Sequence, residues 1–380
     1  MDRPHPVELT VDLQAIADNY RMLAAKVKPA ECGAAVKADA YGLGVAKVAP
    51  ALARAGCRTF FVATLDEGIA LRQLLPAAAI YVLNGLQLAD PREFAEKRLQ
   101  PALCSLPEIE RWSERFVNDG KSDKDSPVAA PALHFDTGIS RLGIPRDESR
   151  RLIAEPAWFD GLKPALLMSH LACSDDIASP MNARQLQRFN EICAGLALPA
   201  KTPRSIAASG GIFLGPPYHL GMVRAGAALY GLAPLMNDAN PMRQVVRLQA
   251  KILQVRRVDD GDSVGYGATH RFAGPARLAT VGVGYADGFM RALSNRGVAH
   301  IGGAEVPIVG RVSMDLTVLD VTGLPEKAAQ VGAAVDLLGP LQSPDALGER
   351  AGTIGYEVLT NLGRRYRRIY LDGEVAGGRA

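Results

Sequence analysis

Metal-binding and disulfide patterns are missing from this 380-residue chain. Its five cysteines (Cys32, Cys57, Cys104, Cys173, Cys193) are odd in number and include no C-x-x-C pair, which argues against a zinc site and a disulfide framework. His5, His219, His270 and His300 form no ligand spacing and read as structural or surface residues. Charge of one sign is also scarce. With 43 Lys+Arg against 40 Asp+Glu the net charge is +3, and the two signs are interspersed, so no nucleic-acid partner is implied. The one basic cluster, Arg364-Arg365-Tyr366-Arg367-Arg368, reads as a solvated face or a subunit contact. No apolar run reaches the ~20 residues that span a bilayer. Met1 to Pro6 lacks the charged-then-apolar profile of a signal peptide. These absences predict a protein of a reducing compartment, the bacterial cytoplasm, with no membrane association.

What the chain does have is enough apolar material for a large core, 48 % hydrophobic against 22 % charged residues. Short apolar runs recur from Gly33-Ala34-Ala35-Val36 through Thr59–Val62, Ala79–Leu83, Ala132–Phe135, Pro164–Met168 and Ser205–Ala208 to Met222-Val223-Arg224. Helical patterns lie between them, as at Asp12–Val27, Val45–Ala55 and Met181–Leu196. This alternation predicts parallel βα units. Close to eight of them favour an α/β fold with an N-terminal (β/α)8 TIM-like barrel, although an open doubly wound sheet fits the same pattern. After Pro241 the texture becomes β-rich, which predicts a mainly β C-terminal domain, with long helical patterns scarce until Thr353–Leu362. We place the two domains at 1–238 and 239–380. Lys121 to Ser126 reads as an exposed loop.

In such a barrel, chemistry gathers at the C-terminal ends of the strands. Lys37 ends the first barrel strand. Asp136, Thr137 and Arg141 follow the fifth, Ser169 and His170 end the sixth, Ser209 follows the seventh, and Arg224 ends the eighth. A lysine at a buried strand end is costly, and forming a Schiff base with a carbonyl is its commonest chemical use. A lysine that snorkels into water fits that one residue equally well.

Eight segments, in order, carry a resemblance that decides between these readings: AVKADAYGLG (35–44), HFDTGISRLG (134–143), ASGGIF (208–213), MVRAGAALYGL (222–232), VGYGATH (264–270), GVGYADGFMR (282–291), GRVSMDLTVLDV (310–321) and GTIGYEVLTNLGRR (352–365). The chain resembles the alanine racemases, fold-type III enzymes that use pyridoxal 5'-phosphate. The resemblance implies an isomerase interconverting L- and D-alanine by a two-base mechanism, in which D-alanine serves peptidoglycan synthesis. Lys37 then holds the cofactor and is the base on one face. Tyr266, from the partner subunit of a homodimer, is the base on the other. A phenol acting as a base needs positive charge nearby, and His170 and Arg224 match residues that supply such a network.

The resemblance further places Arg224 against the cofactor's ring nitrogen. An arginine there stays charged and does not protonate that nitrogen, which weakens the electron sink and keeps the chemistry at the α-carbon. Ser209, Gly226, Ala227, Tyr41 and Tyr356 match phosphate contacts. Arg141 and the backbone N–H of Met314 match carboxylate contacts for a small amino-acid substrate. Asp315 lies beside Met314, and Tyr285 matches a residue lining the substrate entrance. The chain departs from the pattern at His134, where many relatives carry a carbamylated lysine, and at Leu43, Ala208 and Ser313. A broader racemase acting on serine, lysine or arginine, and a decarboxylase of the same fold type, share these features. A non-catalytic cofactor carrier fits less well, because residues 241–380 form a second domain.

Overall fold

The computed structural model describes residues 5–118, 130–160 and 162–372; the Lys121–Ser126 segment lies outside them. Nine strands occupy the first part of the chain: β1 (Val7–Asp12), β2 (Glu31–Ala35), β3 (Thr59–Val62), β4 (Ala79–Val82), β5 (Gln100–Leu103), β6 (Ala132–His134), β7 (Leu166–Met168), β8 (Arg204–Ser205) and β9 (Met222–Ala225). Strands β2 to β9 pair in parallel in the order β8-β7-β6-β5-β4-β3-β2-β9. Two backbone hydrogen bonds bridge the last seam, Gly221 N–H to Arg204 O at 3.1 Å and Arg224 N–H to Ala207 O at 3.0 Å. The sheet therefore curls into a barrel rather than ending in two open edges.

Helices follow most strands. The first, Leu13–Lys26, starts at Asp12, whose carboxylate accepts the Ala15 N–H. Strand β5 is the one barrel strand that the apolar pattern does not reveal. Gln100 and Pro101 interrupt its run, and proline removes a ladder donor.

Beyond the barrel lie β10 (Val246–Val258), a short hairpin of β11 (Ser263–Val264) and β12 (His270–Arg271), then β13 (Ala276–Val281), β14 (Val298–Ile301), β15 (Ala304–Pro307), β16 (Thr317–Asp320), β17 (Ala334–Leu338) and β18 (Arg367–Leu371). Most form a second, mainly antiparallel sheet ordered β15-β14-β17-β10-β1-β18, with β13 and β16 branching from β10. The chain's first strand thus belongs to the second sheet, antiparallel to β10 and parallel to β18.

The barrel's interior is filled by Ala35, Phe61, Tyr81, Ala102, Ala132, Leu166, Met168 and Met222, with the Phe61 and Tyr81 rings stacked at 5.1 Å. Strand side chains alternate with period two, so the residue two positions on points the same way. Ala35 leads to Lys37, Ala132 to His134, Met168 to His170 and Met222 to Arg224. The apolar filling of the barrel ends in a ring of basic side chains at its C-terminal mouth.

Candidate active site

Arg224 is buried at the end of β9, 5 % exposed, and donates through Nη1 to Ser205 Oγ and through Nη2 to the Ser169 carbonyl, both at 2.6 Å. Nη2 also stands 3.3 Å from His170 Nδ1. A guanidinium has only donors, so Nδ1 accepts and the neutral imidazole carries its proton on Nε2. Burial lowers Arg224 to about 10, still well above neutrality. Burial, reinforced by the charges of Arg224 and Arg141, holds His170 well below the usual histidine range. The pair thus presents a fixed positive charge with a neutral N–H donor beside it.

Lys37 is half-buried across the mouth. Burial first, and then the Arg141 charge, lower its ammonium below the ordinary lysine value, against the opposing pull of Glu67. The backbone after it turns left-handed: Ala38, Asp39, Ala40 and Tyr41 have φ of 53°, 53°, 54° and 56°. Such a turn costs about 1–2 kcal/mol per residue for side chains with a Cβ. It is held by named contacts. Glu67 accepts the Ala38 N–H at 2.7 Å, Asp39 accepts the Val45 N–H at 2.7 Å, and Arg368 donates to Gly42 O at 2.7 Å.

The turn lays Tyr41 against Tyr230, with ring centroids 4.6 Å apart, and 6.1 Å from the Tyr356 ring. Neither the Tyr41 nor the Tyr356 hydroxyl has a hydrogen-bond partner among the described residues. Beside them Ser209 Oγ accepts the Gly226 and Ala228 N–H groups at 3.0 and 3.1 Å. Gly226 is needed here, since a Cβ on it would come within 2.6 Å of the Tyr41 hydroxyl. Ser209, Gly226 and Ala227 thus form a small-residue cradle facing two phenols.

Arg141 lies in the loop after β6 and is exposed. Asp136 Oδ1 shapes that loop by accepting the N–H groups of Gly138, Ile139 and Ser140. The structure therefore gathers Lys37, Tyr41, Arg141, His170, Ser209, Arg224, Gly226, Ala227 and Tyr356 at one end of the barrel.

Tyr266, Tyr285, Met314 and Asp315 lie elsewhere, on an exposed face of the second domain. No hydrogen bond, ion pair or ring contact joins them to Lys37, His170 or Arg224 among the described residues. Tyr266 tops the β11–β12 hairpin, 72 % exposed. Its neighbours Gly265 and Gly267 have φ of 73° and 74°, values that glycine adopts freely, so the glycines set the turn that lifts the phenol into solvent. Tyr285 and Met314 stand on adjoining loops, joined by Tyr285 N–H to Ser313 O and Ala286 N–H to Met314 O, each 3.0 Å. Asp315 accepts from Arg365 at 2.8 Å.

Some supporting residues escape the sequence reading. Glu67 is one, though Thr64-x-x-Glu67 is a capping-box signature. Gln185 is another. Its amide donates to His170 O at 2.9 Å and to Thr137 Oγ1 at 3.2 Å, and nothing in its helical surroundings announces that role.

The likeness to known proteins covers nearly the whole molecule. Residues 11–234 match the family model "Alanine racemase, N-terminal domain", and residues 245–370 match "Alanine racemase, C-terminal domain". The chain belongs to the alanine racemase family. An alanine racemase of Rhodospirillum rubrum is 49 % identical over 367 residues, 95 % of either chain. A catabolic alanine racemase of Agrobacterium fabrum is 46 % identical over 365 residues, 96 % of this chain and 92 % of that one. Among solved structures, the alanine racemase of Bartonella henselae with covalently bound pyridoxal phosphate superposes with a TM-score of 0.91 at 40 % identity, over 97 % of this chain and all of that one. The barrel and the strand-rich region after it fall, in order, within the segments that match the family's two domains.

Proposed function

We propose that this chain interconverts L- and D-alanine with pyridoxal 5'-phosphate, in a homodimer whose active sites are each shared between two subunits. The observation that carries the proposal is the half-buried lysine, its ammonium destabilised by burial and by Arg141, facing an anion cradle with two unpartnered phenols. That cradle fits a phosphate. The Ala227 N–H, the Ser209 hydroxyl (whose Oγ already takes the Gly226 N–H), and the Tyr41 and Tyr356 hydroxyls would hold it, and the missing Cβ of Gly226 leaves the room.

When bound, the cofactor acidifies the α-hydrogen of an amino acid by spreading the resulting charge through its ring. The chain's own residues do the rest. Lys37 anchors the group and, being readily deprotonated, takes or returns the α-proton on one face. Tyr266 of the partner subunit serves the opposite face. Its exposure on the free chain supports this, because an aromatic residue lifted into solvent suits a place in another subunit's mouth. His170 offers its Nε2–H toward that phenol, and Arg224 supplies the positive charge behind it. With the cofactor held there, Arg224, which stays charged, would disfavour protonation of its ring nitrogen and so restrict side reactions.

Arg141 and the Met314 N–H bind the substrate carboxylate, with Asp315 beside them, and Tyr285 narrows the entrance so that a methyl side chain fits best. The partner supplies Met314, Asp315 and Tyr285 together with Tyr266. No helix among the described residues is long and apolar enough to cross a membrane. Five unpaired cysteines agree with a cytoplasmic enzyme supplying D-alanine for peptidoglycan.

The test is turnover of both alanine enantiomers by the purified yellow protein, beside serine, lysine and arginine. Alanine should be the fastest substrate in both directions. Faster lysine turnover would overturn the alanine assignment, and carbon dioxide release would overturn racemisation.

A further inference from the structure

The last strand carries one side chain that reaches two segments with different duties. Arg368 is half-buried in β18. Its Nη1 donates to the Gly42 carbonyl at 2.7 Å, and its Nη2 to the Leu362 and Gly363 carbonyls at 3.2 and 3.1 Å. All three acceptors are peptide oxygens. The planar fork of a guanidinium spans them together, whereas a lysine ammonium would serve one segment at a time.

Gly42 closes the left-handed turn that begins after Lys37. Its N–H donates to Ala38 O at 2.7 Å, and the Gly44 N–H donates to Asp39 O at 2.9 Å. The turn is thus one unit, with Lys37 at its start and Tyr41 inside it. Tyr370 stands two residues beyond Arg368 on the same strand and so shares its face. Its hydroxyl donates to Leu43 O at 3.1 Å, and a Cβ on Gly44 would strike that hydroxyl. Strand β18 therefore grips the lysine turn twice.

Leu362 and Gly363 belong to the other segment. The Gly363 N–H donates to Asp287 O at 2.9 Å. The two backbones lie so close that a Cβ on Gly288 would collide with Asn361 O. Asp287 lies in the loop of Tyr285, and the Ala286 N–H of that loop holds Met314 O. The place of Leu362 and Gly363 hence sets the place of the face that carries Tyr285 and Met314.

We propose that Arg368 is a positioning residue for two active sites at once. Through Gly42 it fixes the turn of Lys37 and Tyr41 in its own chain's site. Through Leu362 and Gly363 it fixes the face that its chain lends to the partner's site. This rests on the shared-site reading for the duty of each segment, but not for the tie between them.

Hydrogen exchange tests the tie without any catalysis, with strand β3 as the internal reference. Arg368→Met keeps the stem and loses the fork. Its amides at 38–44 and at 284–288 should both exchange about tenfold faster than the parent's. Tyr370→Phe removes only the hydroxyl on Leu43, so it should quicken 38–44 and leave 284–288 unchanged. Arg368→Lys keeps the charge and should show the same pair of changes at smaller size, which reads the tie even if the Met variant does not fold. Faster exchange at one segment only, or at neither, in the Arg368 variants overturns the proposal.

Mixed dimers separate the two duties. With Arg368→Met and Tyr266→Phe on one chain and Lys37→Ala on the other, the complete site takes its lysine from the altered chain. There kcat should fall about fivefold with little change in the alanine KM. With Arg368→Met and Lys37→Ala on one chain and Tyr266→Phe on the other, the complete site takes its face from the altered chain. There the KM should rise about fivefold with little change in kcat. A defect in only one arrangement contradicts the double role. A control pair with Arg368 intact that regains no activity overturns the shared-site reading rather than the tie, which the exchange measurement decides alone.

Discussion

Asp287 grips Arg365 with both carboxylate oxygens, at 2.6 and 2.9 Å. Asp287 is buried, and its Oδ2 also accepts the Gly284 N–H at 3.0 Å. Arg365 reaches on to Asp315. One guanidinium thereby locks together the loops that carry Tyr285 and Met314, the two parts of the second domain's exposed face. It also accounts for part of the basic cluster at 364–368, whose Arg368 is likewise spent on the carbonyls of Gly42, Leu362 and Gly363.

Asp287→Ala should therefore loosen a surface that the proposed site borrows. It leaves the Gly284 N–H without an acceptor in a buried place, which costs about 2 kcal/mol. A urea titration should show that loss, and the KM for alanine should rise. An unchanged midpoint together with unchanged KM would mean that the clamp does not hold the face.

Lys37→Ala separates function from stability. The lysine is destabilised where it stands, by burial and by Arg141. With cofactor stripped from both proteins, its removal should leave the melting temperature at or above the parent's, while racemisation with cofactor supplied falls by about a thousandfold or more, within the range for losing a positioned acid–base group. The variant should also lose the yellow colour of bound cofactor. Borohydride reduction of the parent followed by peptide mapping should mark Lys37 alone. A colourless parent or a mark on another lysine would contradict the assignment.

Stability should depend on pH through His134. Its pKa falls from 6.5 to about 4 on folding. Above pH ~6.5 neither state binds the proton and the shift has no effect. As pH falls below that value the unfolded chain gains a proton that the folded chain refuses, so stability drops until pH passes the folded value. Between pH 7 and 5 the loss is about 2 kcal/mol. His134→Gln should lack it. Urea midpoints of the two proteins at both pH values give the difference, and parallel losses would show that His134 is not the titrating group.

Much of the barrel was legible because buried parallel strands read as bare apolar runs, and Thr59–Val62 is recovered to the residue. Strand β5 was not, because Gln100 and Pro101 break the run that betrays the others. The helix Pro344–Ala351 was also passed over, although Ser343 caps it and proline occupies its first position. The partners of β1 were beyond local reading. Its alternation announces a strand with one buried face, but nothing near it shows that β10 and β18, more than two hundred residues away, supply the neighbours.

The site divides in the same way. Strand-end residues such as His170 and Arg224 follow from period two once the strands are placed. The left-handed turn after Lys37 and the reach of Glu67 depend on contacts between different βα units, which the local sequence does not encode. The exposed position of Tyr266 follows from its two flanking glycines, but the subunit it would serve leaves no mark in this chain beyond that exposure.

The central claim, that Lys37 and Tyr266 act on one substrate from two different chains, is tested most directly by mixing two inactive variants. Lys37→Ala and Tyr266→Phe dimers should each show little racemisation alone. Unfolded together in equal amounts and refolded, half of the dimers are mixed, and each mixed dimer has one site with both native residues. The account predicts recovery of about one quarter of the parent's activity. Activity no greater than the average of the two variants alone would contradict it.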